Sequence, residues 1–516
     1  MTFVSNLGIA FDQVAQQHRD SIALLYPDTG RHITYWELNL LVDRIANNLR
    51  IKGLHQGQVA AMFHNKSPEA FAAMLACLRL GIIYTNLDPD SPWERLQKIL
   101  DTCQPAVVIN AFRVMPFDAN ITNQGIQNIL HLHDLLDITK SEPLLDCRPV
   151  DGGSPAYVMF TSGSTGAPKG ATMSHANLLW FIAWTQDRFA ITSKDVLTNV
   201  NPIFFDNSVF DFYSAIFSGA TLVPFTSDQV RDTRLLVRLI NDARCTIWFS
   251  VPTLLVYLLT TRALSSDVFP AIRKIIFGGE GFPKVKLKQL YEMFSNRAEL
   301  ENVYGPTECT CICSAHTVSH EDLKNMQQLT TLGSLAQNFG GEILPLDETN
   351  PDFGELFLHG PQVGLGYFND PQRTAQSFIQ NPRHAHYLDI GYRTGDLVQR
   401  DAVGQLHFKG RIDFQIKHMG YRIELEEIEA ALASISGVTE CAVIYQKLDD
   451  SLGQILAFAA LHQPESTESL LHKVAALLPA YMLPRHIHLL KFLPKNANGK
   501  IDRPALQQLV NKETAL

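Results

Sequence analysis

The chain has 516 residues, of which 46% are hydrophobic and 18% are charged, and its formal net charge is −9 at pH 7. This length predicts two to four domains or subdomains, and the composition is typical of a well-packed globular protein rather than of a disordered chain. The negative charge argues against nucleic-acid partners, since surfaces that bind a phosphate backbone are basic.

The sequence predicts neither a secretory signal nor a membrane span. The N-terminus lacks a basic region followed by a long apolar core, and the apolar run at 72–84 is interrupted by Arg79. The 8 cysteines are scattered without secretory context, which is typical of reduced thiols. We therefore expect a cytoplasmic protein with no membrane partner.

Helices and strands alternate in the first part of the chain, a pattern that indicates a layered α/β body with much parallel sheet. Hydrophobic periodicity predicts helices at 9–18, 35–52, 68–79 and 93–101, and strands at 22–26, 59–62, 82–84 and 105–110.

A short apolar strand at 157–160 runs into a turn, 161–170, that is rich in glycine, serine and threonine. Such a turn lets backbone N–H groups converge on an anion, its hydroxyls add donors, and Lys169 adds a positive charge. This combination suits a polyphosphate. The spacing is not that of a Walker A loop, and composition alone leaves an ordinary polar surface loop as an equal alternative.

The pattern of predicted helices and strands changes twice after this turn. Up to residue 277 the α/β pattern continues, and from residue 354 short strands predict a β-rich subdomain. Beyond residue 413 two helices, 423–435 and 470–478, alternate with strands at 437–445, 455–461 and 487–493. We therefore predict a large domain at 1–412 and a smaller α+β domain at 413–516.

The string Thr-Ser-Gly-Ser-Thr-Gly-Ala-Pro-Lys-Gly at 161–170 resembles the signature loop of the adenylate-forming superfamily. Further stretches match that superfamily in order over nearly the whole chain. These motifs are especially similar to those of stand-alone amino acid adenylation enzymes, of adenylation domains of nonribosomal peptide synthetases and of D-alanine–carrier protein ligases. The resemblance implies layered αβ subdomains and a β-rich subdomain in the large domain, with a small mobile C-terminal domain.

The resemblance also implies an ATP site with bound Mg²⁺. It assigns Thr307 and Glu308 to catalysis, Glu308 also to the metal, and Asp396 to the ribose hydroxyls. Lys500 becomes the catalytic ammonium, and such a charge would stabilise the transition state of attack on the α-phosphate. The ATP-binding residues implied are Thr161, Ser162, Gly163, Ser164, Thr165, Lys169, Gly279, Glu280, Asn302, Tyr304, Asp396 and Arg411. Taken alone, residues 304–307 are more typical of a structural turn, and Arg411 with Asp413 of a surface ion pair.

The stretch 201–210 matches the segment in which amino-acid-activating relatives place an aspartate against the substrate ammonium. Asp206 lies there among apolar residues, and a buried carboxylate requires a partner. A helix N-cap is the structural alternative. The substrate-binding residues implied are Phe205, Asp206, Asn207, Phe210, Phe249, Ile276, Gly278, Val303, Cys311 and Ile312, a mostly apolar set that favours an aliphatic substrate such as valine, isoleucine or leucine.

Three further positions follow from the resemblance. Asp413 lies where relatives hinge the C-terminal domain, whereas Lys417 and Gly420 lie in the segment that faces the active site during thiolation. Glycine permits close backbone approach, here for a phosphopantetheine arm. No carrier-attachment motif follows residue 502, so we expect a separate carrier protein as partner.

The sequence therefore predicts an ATP-dependent amino acid ligase that forms an aminoacyl-adenylate and passes the acyl group to a carrier thiol. An acyl- or aryl-CoA synthetase is the alternative enzyme, against which Asp206 argues. A catalytically silent binding protein on the same fold is the third reading, against which Lys500, Asp396 and Glu308 argue.

Overall fold

The computed structural model describes residues 4–114, 116–123, 128–136, 149–326, 328–337, 339–347, 349–448, 453–496 and 501–513. Its α-helices are α1 Leu7–Gln17, α2 Tyr35–Ile51, α3 Pro68–Leu80, α4 Trp93–Cys103, α5 Asp118–Asn123, α6 His175–Phe189, α7 Asn207–Ile216, α8 Ser227–Arg231, α9 Thr233–Asp242, α10 Pro252–Thr260, α11 Lys284–Phe294, α12 Pro371–Ser377, α13 Leu425–Ala433, α14 Thr467–Ala475 and α15 Arg503–Glu513.

The strands of the first half are β1 Ile22–Tyr26, β2 Arg31–Thr34, β3 Val59–Phe63, β4 Ile83–Leu87, β5 Val107–Asn110, β6 Ile129–His131, β7 Pro155–Thr161, β8 Lys169–Ser174, β9 Val196–Asn199, β10 Thr221–Pro224, β11 Ile247–Ser250 and β12 Lys274–Gly278. Those of the second half are β13 Glu299–Tyr304, β14 Ser314–Thr317, β15 Ser334–Leu335, β16 Gly340–Pro345, β17 Phe353–His359, β18 Gly366–Tyr367, β19 Phe378–Gln380, β20 Ile390–Arg400, β21 Leu406–Arg411, β22 Gln415–His418, β23 Tyr421–Glu424, β24 Val438–Lys447, β25 Gly453–Leu461 and β26 His486–Leu489.

The chain divides into two compact units. The first comprises Met1–Leu87, Thr102–Phe160 and Gly170–Ile412, and the second comprises Asp88–Asp101, Thr161–Lys169 and Asp413–Leu516. The second unit thus contains the glycine-rich turn in addition to the C-terminal residues. The domain limits 1–412 and 413–516 stay a prediction.

Two largely parallel sheets organise the first unit. Within the described residues, one is nine-stranded in the order β15-β14-β13-β12-β11-β9-β10-β1-β2, and the other is seven-stranded in the order β18-β8-β7-β4-β3-β5-β6. β11, β12 and β13 pair in parallel. Antiparallel strands close both edges of the nine-stranded sheet and the β18 edge of the seven-stranded sheet, whose other edge strand, β6, is parallel to β5. A five-stranded antiparallel sheet built from β16, β17, β19, β20 and β21 corresponds to the predicted β-rich subdomain.

The second unit has an α+β architecture of its own. β22 and β23 form a hairpin, while β24 and β25 pair antiparallel and β26 joins β25 in parallel. The apolar faces of α13 and α14 pack on this three-stranded sheet through Ile428, Leu432, Leu470 and Val474, all fully buried.

Sequence periodicity located most elements to within a few residues, because their amphipathic faces match the sheets they cover. Several elements were not predicted, among them the strands β2, β6, β13 and β20 and the helix α11. β8 was also missed: it follows the glycine-rich turn directly, although we had expected a break from 161 to 170. Among the described residues no helix is long and apolar enough to cross a membrane.

Candidate active site

A carboxylate with two strong hydrogen-bond donors lies in the antiparallel subdomain of the first unit. Asp396, on β20, accepts from the Tyr304 hydroxyl at 2.6 Å and from the Arg411 guanidinium at 2.6 Å. β21 pairs with β20 so that Asp396 and Arg411 are register partners. Burial and the neighbouring Asp396 raise the pKa of Tyr304, so its hydroxyl stays protonated and donates. Three residues that the resemblance assigned to the nucleotide are therefore brought together.

Glu308 lies in a short 3-10 helix, Thr307–Cys309, that follows the turn after β13. Its carboxylate is buried and accepts from the Tyr367 hydroxyl at 2.7 Å. The sequence analysis did not select Tyr367, since it lies 59 residues away and no motif connects the two.

Asp206 immediately precedes α7 but does not cap it. Its backbone is helical, and its side chain makes no capping hydrogen bond. One carboxylate oxygen instead accepts from the Thr307 hydroxyl at 2.6 Å. The helix-cap alternative for Asp206 is therefore wrong, and two predicted site residues from distant parts of the chain are in contact.

Two predicted nucleotide residues have intramolecular partners. Glu280 accepts from the backbone N–H of Thr253 at 2.7 Å and from the Thr253 hydroxyl. Asn302 donates from its side chain to the carbonyl of Thr331 at 2.8 Å. Next to Glu280, Gly279 has a positive φ of 91° and an open surrounding, since an added Cβ would meet nothing closer than 3.7 Å.

The residues predicted to line the side-chain pocket divide into two groups. Phe205, Asp206 and Asn207 are partly exposed. Behind them, β11, β12 and β13 contribute Phe249, Ile276 and Val303 to one buried apolar cluster, which also includes Phe210, Cys311 and Ile312. Gly278 belongs to the same wall for a packing reason, because a Cβ there would collide with the carbonyl oxygen of Val303.

The backbone beside this cluster is strained. Thr310 and Cys311 follow one another with φ of 59° and 70°, in the left-handed region that non-glycine residues rarely adopt. The Thr310 hydroxyl holds the turn by donating to the carbonyl of Gln362 at 2.8 Å. Burial, and then the negative charge of Asp206, raise the pKa of Cys311, so the thiol is neutral.

In the second unit the glycine-rich turn packs against β23 and α13. The Ser162 hydroxyl donates to the carbonyl of Arg422 at 2.7 Å and accepts from the N–H of Glu424 at 3.1 Å. The N–H of Gly163 donates to Glu427 at 3.2 Å, and Lys169 forms an ion pair with Glu424 at 3.4 Å. Carboxylates thus occupy donors of the kind that bind phosphate.

The remaining residues of the turn differ in accessibility. Thr161 is buried, and its hydroxyl lacks a hydrogen-bond partner among the described residues. Ser164 and Thr165 are exposed at the tip. Glu427 also pairs with the buried Arg95 of α4. Sequence analysis selected none of Arg95, Arg422, Glu424 and Glu427 as partners of the turn, because charged residues at such separations carry no local pattern.

The hairpin of β22 and β23 contains the predicted thiolation residues. Lys417 is exposed on β22. The turn residues Met419 and Gly420 have φ of 52° and 82°, as a two-residue hairpin of the I′ type requires. The hairpin by itself therefore accounts for a glycine at 420. Asp413, just before β22, accepts from the N–H of Gln415 at 3.2 Å. Lys500 lies outside the described residues.

Comparison with known proteins adds the family. The profile of the AMP-binding enzyme family matches residues 11–368, and that of the AMP-binding enzyme C-terminal domain matches residues 427–500. The chain belongs to this family. It is a ligase that uses ATP, as the sequence predicted.

Two relatives match this ligase nearly end to end. An L-proline–[L-prolyl-carrier protein] ligase of Pseudomonas fluorescens is 32% identical over 495 residues, which cover 93% of this chain and 94% of the relative. A D-alanine–D-alanyl carrier protein ligase of Bacillus licheniformis is 30% identical over 507 residues, which cover 96% and 98%. Tyrocidine synthase 3 of Brevibacillus parabrevis is 31% identical over 506 residues, and there the match spans only 7% of the relative's length.

A solved structure confirms the fold class. An artificially fused adenylation–PCP di-domain, NpsA-ThdA from Klebsiella oxytoca, superposes with a TM-score of 0.82 at 22% identity, covering 100% of this chain and 98% of that one. The predicted mixed α/β fold, with a large N-terminal and a smaller C-terminal domain, is thereby confirmed.

Proposed function

We propose that this ligase activates an amino acid with an apolar side chain and transfers it to the phosphopantetheine thiol of a carrier protein. In the first step a carboxylate oxygen of the amino acid attacks the α-phosphorus of ATP. The bond to the bridging oxygen breaks, so that aminoacyl-AMP and pyrophosphate form. In the second step the thiol sulfur attacks the acyl carbon, AMP leaves, and the thiol proton passes to solvent.

Asp206 is the observation that carries the amino acid assignment. Its carboxylate is partly exposed at the start of α7, does not cap that helix and accepts from the Thr307 hydroxyl. A carboxylate in an apolar segment is favourable only with a strong partner, and an ammonium group provides one. A fatty or aryl acid has no such group, and this disfavours the CoA synthetase reading.

The proposal that the acceptor is a carrier protein rests on the similar proteins. Two ligases of this length are named for loading proline or alanine onto carrier proteins. We extend to this chain the class of acceptor, with Lys417 and Gly420 near the arm and Asp413 as the hinge. The D-alanine–carrier ligase reading stays within this proposal, because it differs only in the amino acid.

Magnesium fits the residues present. The structure holds no cluster of three or more metal-ligating side chains within its described ranges. Mg²⁺ is held by one or two carboxylates together with phosphate oxygens, and the buried Glu308 is a carboxylate suited to that role. Bound there, the ion would neutralise phosphate charge.

Amino-acid-dependent exchange of labelled pyrophosphate into ATP tests the proposal. We expect exchange with at least one apolar amino acid, and its loss by a factor of about 100 or more in Lys500→Ala, as for other groups that stabilise transition-state charge. Exchange that requires a fatty or aryl acid instead of an amino acid would contradict it.

A further inference from the structure

The inner wall of the predicted amino-acid pocket is closed. Phe210 and Ile276 are 0% exposed and Phe249 is 2% exposed. The rings of Phe210 and Phe249 meet edge to face at 4.9 Å, and on its other side Phe210 meets Phe189 in the same way at 5.5 Å. These side chains, which the sequence analysis predicted to line a pocket for an aliphatic substrate, therefore pack closely and expose almost no surface.

This wall begins close to Asp206, because Asp206 immediately precedes α7 and Phe210 lies one helical turn further along that helix. Phe249 on β11 is the register partner of Ile276 on β12, and two residues further along β12 Gly278 is the register partner of Val303 on β13. The wall has little accessible surface, 2% of Phe249, 3% of Val303 and 4% of Cys311. Asp206, Asn207 and Gly279, by contrast, are partly exposed. The open part of the site therefore ends close to the proposed ammonium partner.

Solvent exposure sets a limit on the free volume. A wall residue that borders a space large enough for one water molecule shows exposed surface. Phe210 and Ile276 show none, and the few per cent on Phe249, Val303 and Cys311 leave room for a small group only. The side chain of valine has three carbon atoms and is larger than a water molecule, whereas a methyl group is of similar size. Forcing extra methylene groups into a packed interior displaces side chains and backbone and is unfavourable.

We infer that the substrate is a small amino acid, with a side chain no larger than a methyl group, and that Phe210, Phe249 and Ile276 set this limit. The inference rests on the proposed function and narrows it from apolar to small, in place of the aliphatic expectation drawn from sequence.

Pyrophosphate exchange with glycine, alanine, 2-aminobutyrate, valine and leucine tests the size limit. We expect kcat/KM to be highest for glycine or alanine and to fall by about 10-fold or more for each added methylene, within the range known for apolar pockets. Both stereoisomers of alanine belong in the series, because the limit concerns size alone.

Ile276→Val supplies the discriminating variant. This substitution removes one methyl group from the wall, and its cost in stability is small enough for the variant to fold. We expect the ratio of kcat/KM for 2-aminobutyrate to that for alanine to rise about 10-fold. Ile275→Val is the matched control. Ile275 is its neighbour on β12 and is 2% exposed, but it packs into the separate cluster on the opposite face of the sheet, so the ratio should not change.

The outcomes separate the two proposals. Exchange that is faster with valine or leucine than with glycine and alanine overturns the size limit and leaves the proposed function standing. An equal response of Ile276→Val and Ile275→Val also overturns the limit. Absence of exchange with every amino acid overturns the proposed function and the limit together.

Discussion

Asp206 and Thr307 lie 101 residues apart in the chain and meet at 2.6 Å. If Asp206 binds the substrate ammonium, replacing it by the isosteric asparagine removes the charge and keeps the shape. We expect Asp206→Asn to lower kcat/KM for the amino acid by about 10- to 150-fold, as loss of a charged hydrogen bond of roughly 1.5–3 kcal/mol does. The KM for ATP should stay unchanged, and pyrophosphate exchange measures both.

Asp187→Asn is the control for this change, because Asp187 is exposed on α6. An effect of Asp206→Asn no larger than that of Asp187→Asn would contradict a substrate role.

Two buried histidines predict an acid limit to stability. Burial, aided by Lys66, lowers the pKa of His64 from 6.5 to about 3, and burial lowers the pKa of His175 from 6.5 to about 4. Each ring nitrogen Nδ1 accepts a backbone N–H, from Lys66 at 2.9 Å and from Leu7 at 3.1 Å. Both rings are therefore neutral in the folded state.

The sign of the change in stability with pH follows from proton binding. Below pH 6.5 the unfolded chain protonates these histidines and the folded chain does not. The stabilisation is thus complete above the unfolded pKa and is lost as the pH falls towards the folded pKa. From pH 7 to 5 we expect the free energy of unfolding to fall by about 2 kcal/mol for each histidine.

Urea unfolding at pH 7 and pH 5 measures this loss. His64→Gln and His175→Gln should each reduce the loss of unfolding free energy between pH 7 and pH 5 by about 2 kcal/mol, since each removes one buried neutral imidazole. The exposed His462→Gln should leave it unchanged. A double variant that loses as much unfolding free energy between pH 7 and pH 5 as the unaltered protein would refute the assignment.

At the scale of elements, the glycine-rich turn packs on β23 and α13. The groups that make these contacts are a hydroxyl, a backbone N–H and an ammonium, which are the kinds of donor that bind phosphate. Lys169 pairs with Glu424, whose side chain is 5% exposed. A phosphate that recruits Lys169 must compete with this carboxylate. If Lys169 binds a phosphate of ATP as proposed, Glu424 opposes that binding in the arrangement described.

We expect Glu424→Gln to lower the apparent KM for ATP by about 2- to 5-fold, because the competing ion pair, worth up to about 1 kcal/mol, is removed. Initial rates of exchange at varied ATP concentration measure this change. Glu468→Gln, at an exposed position of α14, is the control and should have no effect. An unchanged or higher KM in Glu424→Gln would contradict competition.

At the scale of the whole molecule, the proposal divides the two half-reactions between different lysines. Lys500→Ala should abolish adenylation but still transfer the acyl group from supplied aminoacyl-AMP to the carrier. Lys417→Ala should keep exchange and slow transfer, by about 10-fold or more if its charge serves that step. Exchange assays and loading of the carrier thiol measure the two steps separately. Equal losses in both steps for both variants would contradict the division.

The sequence by itself determined the family, many of the helices and strands in their order, and the list of candidate site residues. Those features are local: amphipathic periodicity fixes elements, and a ten-residue string at 161–170 carries its own chemistry. β8 was not predicted because its first residues belong to the glycine-rich turn, whose composition is typical of a loop.

Only the tertiary structure decided which of these residues meet. It showed that Asp206 contacts Thr307 rather than capping α7, that Tyr367 holds Glu308, and that Glu424 and Glu427 engage the glycine-rich turn. It also showed the inner wall of the pocket to be closed by Phe210, Phe249 and Ile276. A list of apolar pocket residues gives the polarity of a pocket, whereas its volume depends on how side chains from separate strands pack against one another.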